Sequence, residues 1–167
     1  LKKTKKRNNG ATIFSYPVKN PTRYGVVQCD RLGKPISIEE KPKIPKSNNI
    51  VTGLYFFDNN VIQVAKSIKP SLRNELEISS VNEIYLNQQN LHVEKFNEDF
   101  IWLDMGTHDS LLEAGQIVKK IETSTNSKIG CPEEVAWRKK WINSMQLEGL
   151  AYELKNDYGE YLKKLLT

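Results

Sequence analysis

The chain has 167 residues, of which 38% are hydrophobic, 27% charged and 9% aromatic. That is enough for one domain with a real core, too short for two ordinary ones, and too apolar for global disorder. The formal net charge is +5, but Lys2, Lys3, Lys5, Lys6 and Arg7 carry the whole excess at one end, so the charge reports a terminal run and not the basic face or groove of a nucleic-acid binder.

Cys29 and Cys131 are the only cysteines. Without a CxxC pair or a Cys/His cluster a zinc site is disfavoured, and two isolated thiols fit a reducing cytosol. No apolar run reaches the length of a membrane span, and no apolar stretch follows the basic start, so neither a spanning segment nor a signal peptide is expected. The chain opens on Leu1 and not on Met, and is expected to be a piece of something longer.

Thr12 to Val18 reads as a strand, rich in β-branched and aromatic residues. Tyr24 to Cys29 is a second apolar run, and Asp30-Arg31-Leu32-Gly33 a hairpin-type turn. Ile36 to Lys41 alternates apolar and polar, as a half-exposed strand does. Pro42 to Asn49 can only be a loop, and its composition predicts one that moves. Ile50 to Phe57 is another strand, and Asn59 to Ile68 a short helix that stops before Pro70. Ser80 and Glu83 have capping-box spacing, which predicts a helix over 81–89. Leu91 to Phe96 and Phe100 to Asp104 read as two further strands. Thr107 can cap a helix whose apolar positions are Leu111, Ala114, Val118 and Ile121. Pro132 fits a first helical position, Asn143 and Gln146 form a second capping-box pattern, and a break is expected near Asp157. Strands with interspersed helices followed by a helical tail predict an α/β protein, a three-layer mixed-sheet architecture or its C-terminal part.

Three clusters at predicted strand ends could carry chemistry, since ligands of open α/β sheets gather there. Glu39-Glu40-Lys41-Pro42 offers a lysine suited to phosphate and a carboxylate suited to sugar hydroxyls, or simply a solvated strand end. Arg73 could grip a phosphate, or pair with Glu75 or Glu77. Asp104, between an apolar run and Gly106, could hold Mg²⁺ beside a nucleotide, or cap the following helix.

In this order, Arg23-Tyr24-Gly25-Val26-Val27, Ile38-Glu39-Glu40-Lys41-Pro42, Val51-Thr52-Gly53-Leu54-Tyr55, Glu75-Leu76-Glu77-Ile78 and Trp102-Leu103-Asp104-Met105-Gly106-Thr107 resemble the sugar-nucleotidyltransferases. Cys131-Pro132-Glu133-Glu134 and Tyr158-Gly159-Glu160-Tyr161-Leu162 are similar to the branch that joins dTTP to glucose 1-phosphate, the glucose-1-phosphate thymidylyltransferases. The resemblance implies a Rossmann-like nucleotide-diphospho-sugar transferase fold. It implies that Tyr24, Gly25, Glu40, Val51, Tyr55 and Trp102 line the sugar side, that Lys41 and Arg73 are the catalytic cations on the phosphates, and that Asp104 is one of two aspartates on Mg²⁺. It implies a cytoplasmic enzyme that makes dTDP-glucose and pyrophosphate for dTDP-rhamnose and polysaccharide precursors. It also implies a homo-oligomer, a tetramer in relatives, with an effector site near Glu134 and Arg138. Residues 1–124 are then the sugar-phosphate part of the transferase domain and 125–167 a helical oligomer and effector region. No nucleic-acid or membrane partner is expected.

Gln28, Cys29 and Met105 depart from the family pattern at positions without chemistry. A Gly-rich triphosphate loop, a thymine-reading Gln and a first metal-binding Asp are absent from the sequence. The chain is therefore expected to be inactive alone, with a sheet edge prone to self-association. Two alternatives stay open: a relative using another nucleotide, and a non-catalytic sugar-phosphate-binding or assembly module built on Glu40, Lys41 and Arg73.

Overall fold

The computed structural model describes residues 7, 9–71, 73–97 and 99–167; Lys2, Lys3, Lys5 and Lys6 of the basic run lie outside the described residues, while Arg7 pairs with Glu94 at 2.9 Å. The chain divides into two compact units, Leu1–Trp102 and Leu103–Thr167.

The first unit is built on a mixed five-stranded sheet. Its strands are β1 (Ala11–Pro17), β2 (Gly25–Cys29), β3 (Pro35–Glu40), β4 (Asn49–Phe57) and β5 (Leu91–Lys95). Their spatial order is β3-β2-β4-β1-β5. β1 runs antiparallel to β4 and parallel to β5, and β2 runs antiparallel to β3 and β4. Between the parallel partners β1 and β5 the chain passes through β2, β3 and β4 and then through helices α1 (Val61–Ser67) and α2 (Ile78–Asn87), a connection longer than the minimum parallel strands require. Ala11, Ile13, Val27, Ile38 and Leu91 from the sheet meet Val64, Val81 and Tyr85 from the two helices in one buried cluster. The spacing of Val81 and Tyr85, four residues apart, puts them on one stripe of α2. Elsewhere in this unit Phe14 stacks on Phe96 at 5.2 Å and Phe96 on Phe100 at 4.5 Å.

The β2–β3 hairpin turns on Asp30, whose carboxylate accepts from the N–H groups of Leu32 and Lys34 at 2.9 and 2.8 Å. β4 is irregular. Ile13 faces Tyr55 and Ser15 faces Val51, so β4 spends two more residues than β1 over the same step, with Gly53 at φ +82°.

The second unit holds α3 (His108–Thr125), α4 (Pro132–Arg138), α5 (Ser144–Glu153) and α6 (Asp157–Lys164). Thr107 with Ser110 and Asn143 with Gln146 close reciprocal capping boxes on α3 and α5. Cys131, Leu147, Ala151 and Leu162 form its core. Both cysteines are free thiols, Cys131 buried and Cys29 partly so. The expected functional boundary at 124/125 falls at the last residue of α3.

Two expectations are corrected. No strand forms over Phe100–Asp104; Trp102 instead donates its indole N–H to the Thr52 carbonyl at 3.3 Å. Helix α2 starts at Ile78, three residues before the expected start at Val81, with extended Glu77 at its cap and no side-chain cap bond. The α/β class stands.

Candidate functional site

Glu40 ends β3 and is paired across the ladder with Gly25, the first residue of β2. Directly paired residues project to the same side of a sheet. The Glu40 carboxylate lies over Gly25, with Oε2 3.1 Å from where a Cβ on Gly25 would stand. It accepts a hydrogen bond from the Ser79 hydroxyl in the first turn of α2. Glycine at 25 is what lets an acidic side chain lie against the strand there.

Above this pair is a cavity of about 260 Å³, lined among others by Tyr24, Val51, Tyr55, Ser79, Asn82 and Trp102. Tyr24 meets the Trp102 ring edge-on at 5.1 Å and 88°, and Tyr16 lies 6.4 Å from the same ring. The bond from Trp102 to the Thr52 carbonyl fixes the indole against the irregular part of β4. Burial, and after it the negative charge of Glu40, push the Tyr55 hydroxyl above the usual tyrosine range. Tyr55 therefore stays a hydrogen-bond donor.

Of the residues expected on the sugar side, Tyr24, Gly25, Glu40, Val51, Tyr55 and Trp102 all line this one cavity. Lys41 does not line it. Its backbone turns out of the strand at φ +45°, and its N–H donates to the Tyr24 carbonyl at 3.1 Å. Arg73 sits on the segment before α2, paired with Glu75 at 2.9 Å and Glu77 at 3.4 Å. The pair with Glu75 is exposed on both sides, and such pairs are weak and exchangeable.

In the second unit the Asp104 carboxylate accepts from the Gly106 N–H at 3.1 Å. Among the described residues no three His, Cys, Asp or Glu side chains stand close enough to hold a metal ion. Magnesium beside a phosphate takes one or two protein carboxylates and fills its shell with phosphate oxygens and water, so a donor set of one or two carboxylates is chemically sufficient there. Glu134 pairs with Arg138 at 2.7 Å on α4 and also accepts from the Tyr161 hydroxyl of α6. Both acidic and basic partners line a second cavity of about 330 Å³ with Lys128, Asp157 and Lys164. No helix among the described residues is long and apolar enough to cross a membrane.

A family model described as nucleotidyl transferase matches residues 1–121. The chain belongs to the nucleotidyl transferase family. It is similar to a glucose-1-phosphate thymidylyltransferase of Neisseria meningitidis, 48% identical over 99% of this chain and 58% of the relative. It is also similar to one of Mycolicibacterium smegmatis, 52% identical over 95% of this chain and 55% of the relative. The chain thus spans a little over half the length of these curated relatives. A crystal structure of a Bacillus anthracis protein assigned as a glucose-1-phosphate thymidylyltransferase, in complex with sucrose, superposes with a TM-score of 0.62 and 39% identity. It covers 70% of this chain and 46% of that one. A UDP-glucose pyrophosphorylase bound to UDP-glucose, 20% identical with a TM-score of 0.59, shares the fold over 66% of this chain and 44% of that one.

Two polar helix residues that line the Glu40 cavity, Ser79 and Asn82, are not among the residues the sequence motifs single out. Ser79 and Asn82 lie three apart on α2, one turn of the same stripe that carries Tyr85. Polar residues in register with a helix's apolar stripe were the available signal.

Proposed function

We propose that this chain is the sugar-phosphate-binding part of a cytoplasmic enzyme that joins dTTP and α-D-glucose 1-phosphate to give dTDP-glucose and pyrophosphate. One observation carries the reading: the Glu40 carboxylate set in a cavity among the rings of Tyr24, Tyr55 and Trp102. A sugar presents hydroxyl donors at its rim and C–H groups on its faces, and a carboxylate ringed by aromatic surfaces answers both. The names of the 41–52% identical relatives supply the sugar phosphate and the thymidylyl group.

In this reading a phosphate oxygen of the sugar phosphate attacks the α-phosphorus of dTTP. The new P–O bond forms as the bond to the β-phosphate breaks, and pyrophosphate leaves with the electron pair. No protein group becomes covalently attached, so positioning and charge neutralisation are the chain's contribution. Lys41 and Arg73 are assigned to the phosphates. Arg73 reaches them by exchanging one carboxylate partner for a phosphate, which its planar fork also accepts. Asp104 would hold Mg²⁺, which when bound offsets the charge of the approaching phosphates. Residues 125–167, with Glu134 and Arg138, are assigned to subunit contacts and effector binding.

The test is calorimetric titration of the 167-residue chain with α-glucose 1-phosphate. Binding that weakens about tenfold in Glu40→Ala, the loss of a charged hydrogen-bond acceptor, supports the reading. No binding, or equal affinity in the variant, overturns it.

A further inference from the structure

Among the described residues two buried side-chain atoms have no hydrogen-bond partner, Ser15 Oγ and Asn82 Oδ1. Asn82 is 1% exposed and lines the Glu40 cavity; Ser15 is not among the cavity's residues. A buried amide oxygen left without a partner costs free energy, and native structures keep few of them. Asn82 sits on α2 between Val81 and Glu83, one turn after Ser79, where the neighbouring buried positions are apolar. An isosteric leucine would satisfy this packing without the penalty. The carboxamide is therefore held at a cost to the fold, beside an open cavity that already contains one acceptor.

We infer that Asn82 is a second hydroxyl-reading residue of this cavity: its carboxamide binds a ring hydroxyl of the sugar phosphate that Glu40 does not bind. The inference rests on the sugar-phosphate reading of the cavity given above. The geometry divides the work between two groups on different elements. Glu40 comes from the sheet and spends one acceptor site on Ser79. Asn82 comes from the helix and spends none. A hydroxyl both donates and accepts, so it satisfies the carboxamide whichever way the amide is turned. A site built to bond a hydroxyl rejects an analogue lacking it, because the buried group is left unpaired. Asn82 thus sets which ring positions must carry a free hydroxyl, while the Tyr24, Tyr55 and Trp102 rings hold the ring faces with little such preference.

The experiment titrates the 167-residue chain and its Asn82→Leu variant with α-glucose 1-phosphate and its 2-, 3-, 4- and 6-deoxy analogues, with Tm measured on the ligand-free proteins. The native chain is expected to discriminate against one analogue by about tenfold. Asn82→Leu is expected to bind glucose 1-phosphate as weakly as the native chain binds that analogue, to lose that one discrimination and keep the others, and to melt higher. If the leucine does not fold, Asn82→Ala must show the same selective loss. A native chain that binds glucose 1-phosphate, with an unchanged ranking in the variant, overturns the inference and leaves the reading of the cavity standing. A lower Tm with the ranking intact marks a structural amide and overturns it equally. A native chain that does not bind glucose 1-phosphate overturns the reading of the cavity, and the role of Asn82 with it.

Discussion

The Glu40 carboxylate oxygen lies 3.1 Å from the position a Cβ on Gly25 would take, with the Ser79 hydroxyl oxygen 3.5 Å away from the same point. One backbone position on β2 therefore governs where an acidic side chain of β3 and a hydroxyl of α2 meet.

A methyl group at 25 fits only if the carboxylate moves by a few tenths of an ångström and takes its bond to Ser79 with it. Gly25→Ala is expected to weaken glucose 1-phosphate binding about tenfold, while Tm holds or rises slightly because alanine lowers the entropy of the unfolded chain. Calorimetry and a thermal melt on the same preparation check both halves. Equal affinity would mean that the carboxylate makes no contact with the ligand.

Lys41 adopts φ +45°, a left-handed conformation that costs a side-chain-bearing residue about 1 kcal/mol. Lys41→Gly removes that strain and keeps the backbone bond to the Tyr24 carbonyl. The variant is expected to be as stable as the native chain or more so, by up to about 1 kcal/mol, yet to bind glucose 1-phosphate less well and plain glucose equally. Loss of both stability and glucose binding would show that the side chain is structural.

The hydroxyl of Tyr161 donates to Glu134 and is the main reason its carboxyl sits below the usual carboxylate range; Arg138 adds to the effect and burial opposes it. A lowered folded-state value stabilises the fold above the unfolded carboxylate range, around 4.5, and that stability is lost as pH falls through the folded value. Tyr161→Phe is expected to cost about 1–2 kcal/mol at pH 7 and less at pH 3. Urea unfolding followed by the fluorescence of Trp137 and Trp141, with Trp102 replaced by Phe in both proteins, reads the difference. A cost equal at both pH values would remove Tyr161 as the cause.

The 42–48 segment between β3 and β4 is anchored at two points. Ser47 donates to the Val27 carbonyl at 2.6 Å, and Lys46 pairs with Glu39. Ligand bound at Glu40, the residue before Lys41, is expected to slow proteolytic cutting between Lys43 and Asn49 several-fold. Equal cutting with and without glucose 1-phosphate would count against any coupling between this loop and the cavity.

Most elements were legible in the sequence because their signals are local. Thr107 and Asn143 bind N–H groups three residues on, and Asp30 binds those two and four on; spacing reveals such bonds. The start of α2 was not legible, because Ser79 spends its hydroxyl on Glu40, 39 residues away in sequence, and the helix begins without a side-chain cap. Phe100–Asp104 has the composition of a strand, but Trp102 finds its partner through an indole N–H. Tyr24, Gly25, Glu40, Val51, Tyr55 and Trp102 were named from ordered motifs, and they meet at one cavity. Asn82 shows in the sequence only as a polar residue in register with the apolar stripe of α2; that its oxygen is buried without a partner is a property of packing, which spacing does not encode.

The irregular stretch of β4 bears on how this site tolerates insertions and deletions. Val51 and Tyr55 both line the cavity, four residues apart, with the two surplus residues lying between them opposite Phe14. Side chains alternate along a strand. Loss of one residue from 52–54 would turn Tyr55 to the opposite side of the sheet and take its hydroxyl out of the cavity. Loss of two would restore the facing and straighten the ladder, but would remove part of the stretch whose Thr52 carbonyl anchors Trp102. Length changes here are thus constrained in pairs, and even a pair that preserves the sheet alters the wall of the cavity.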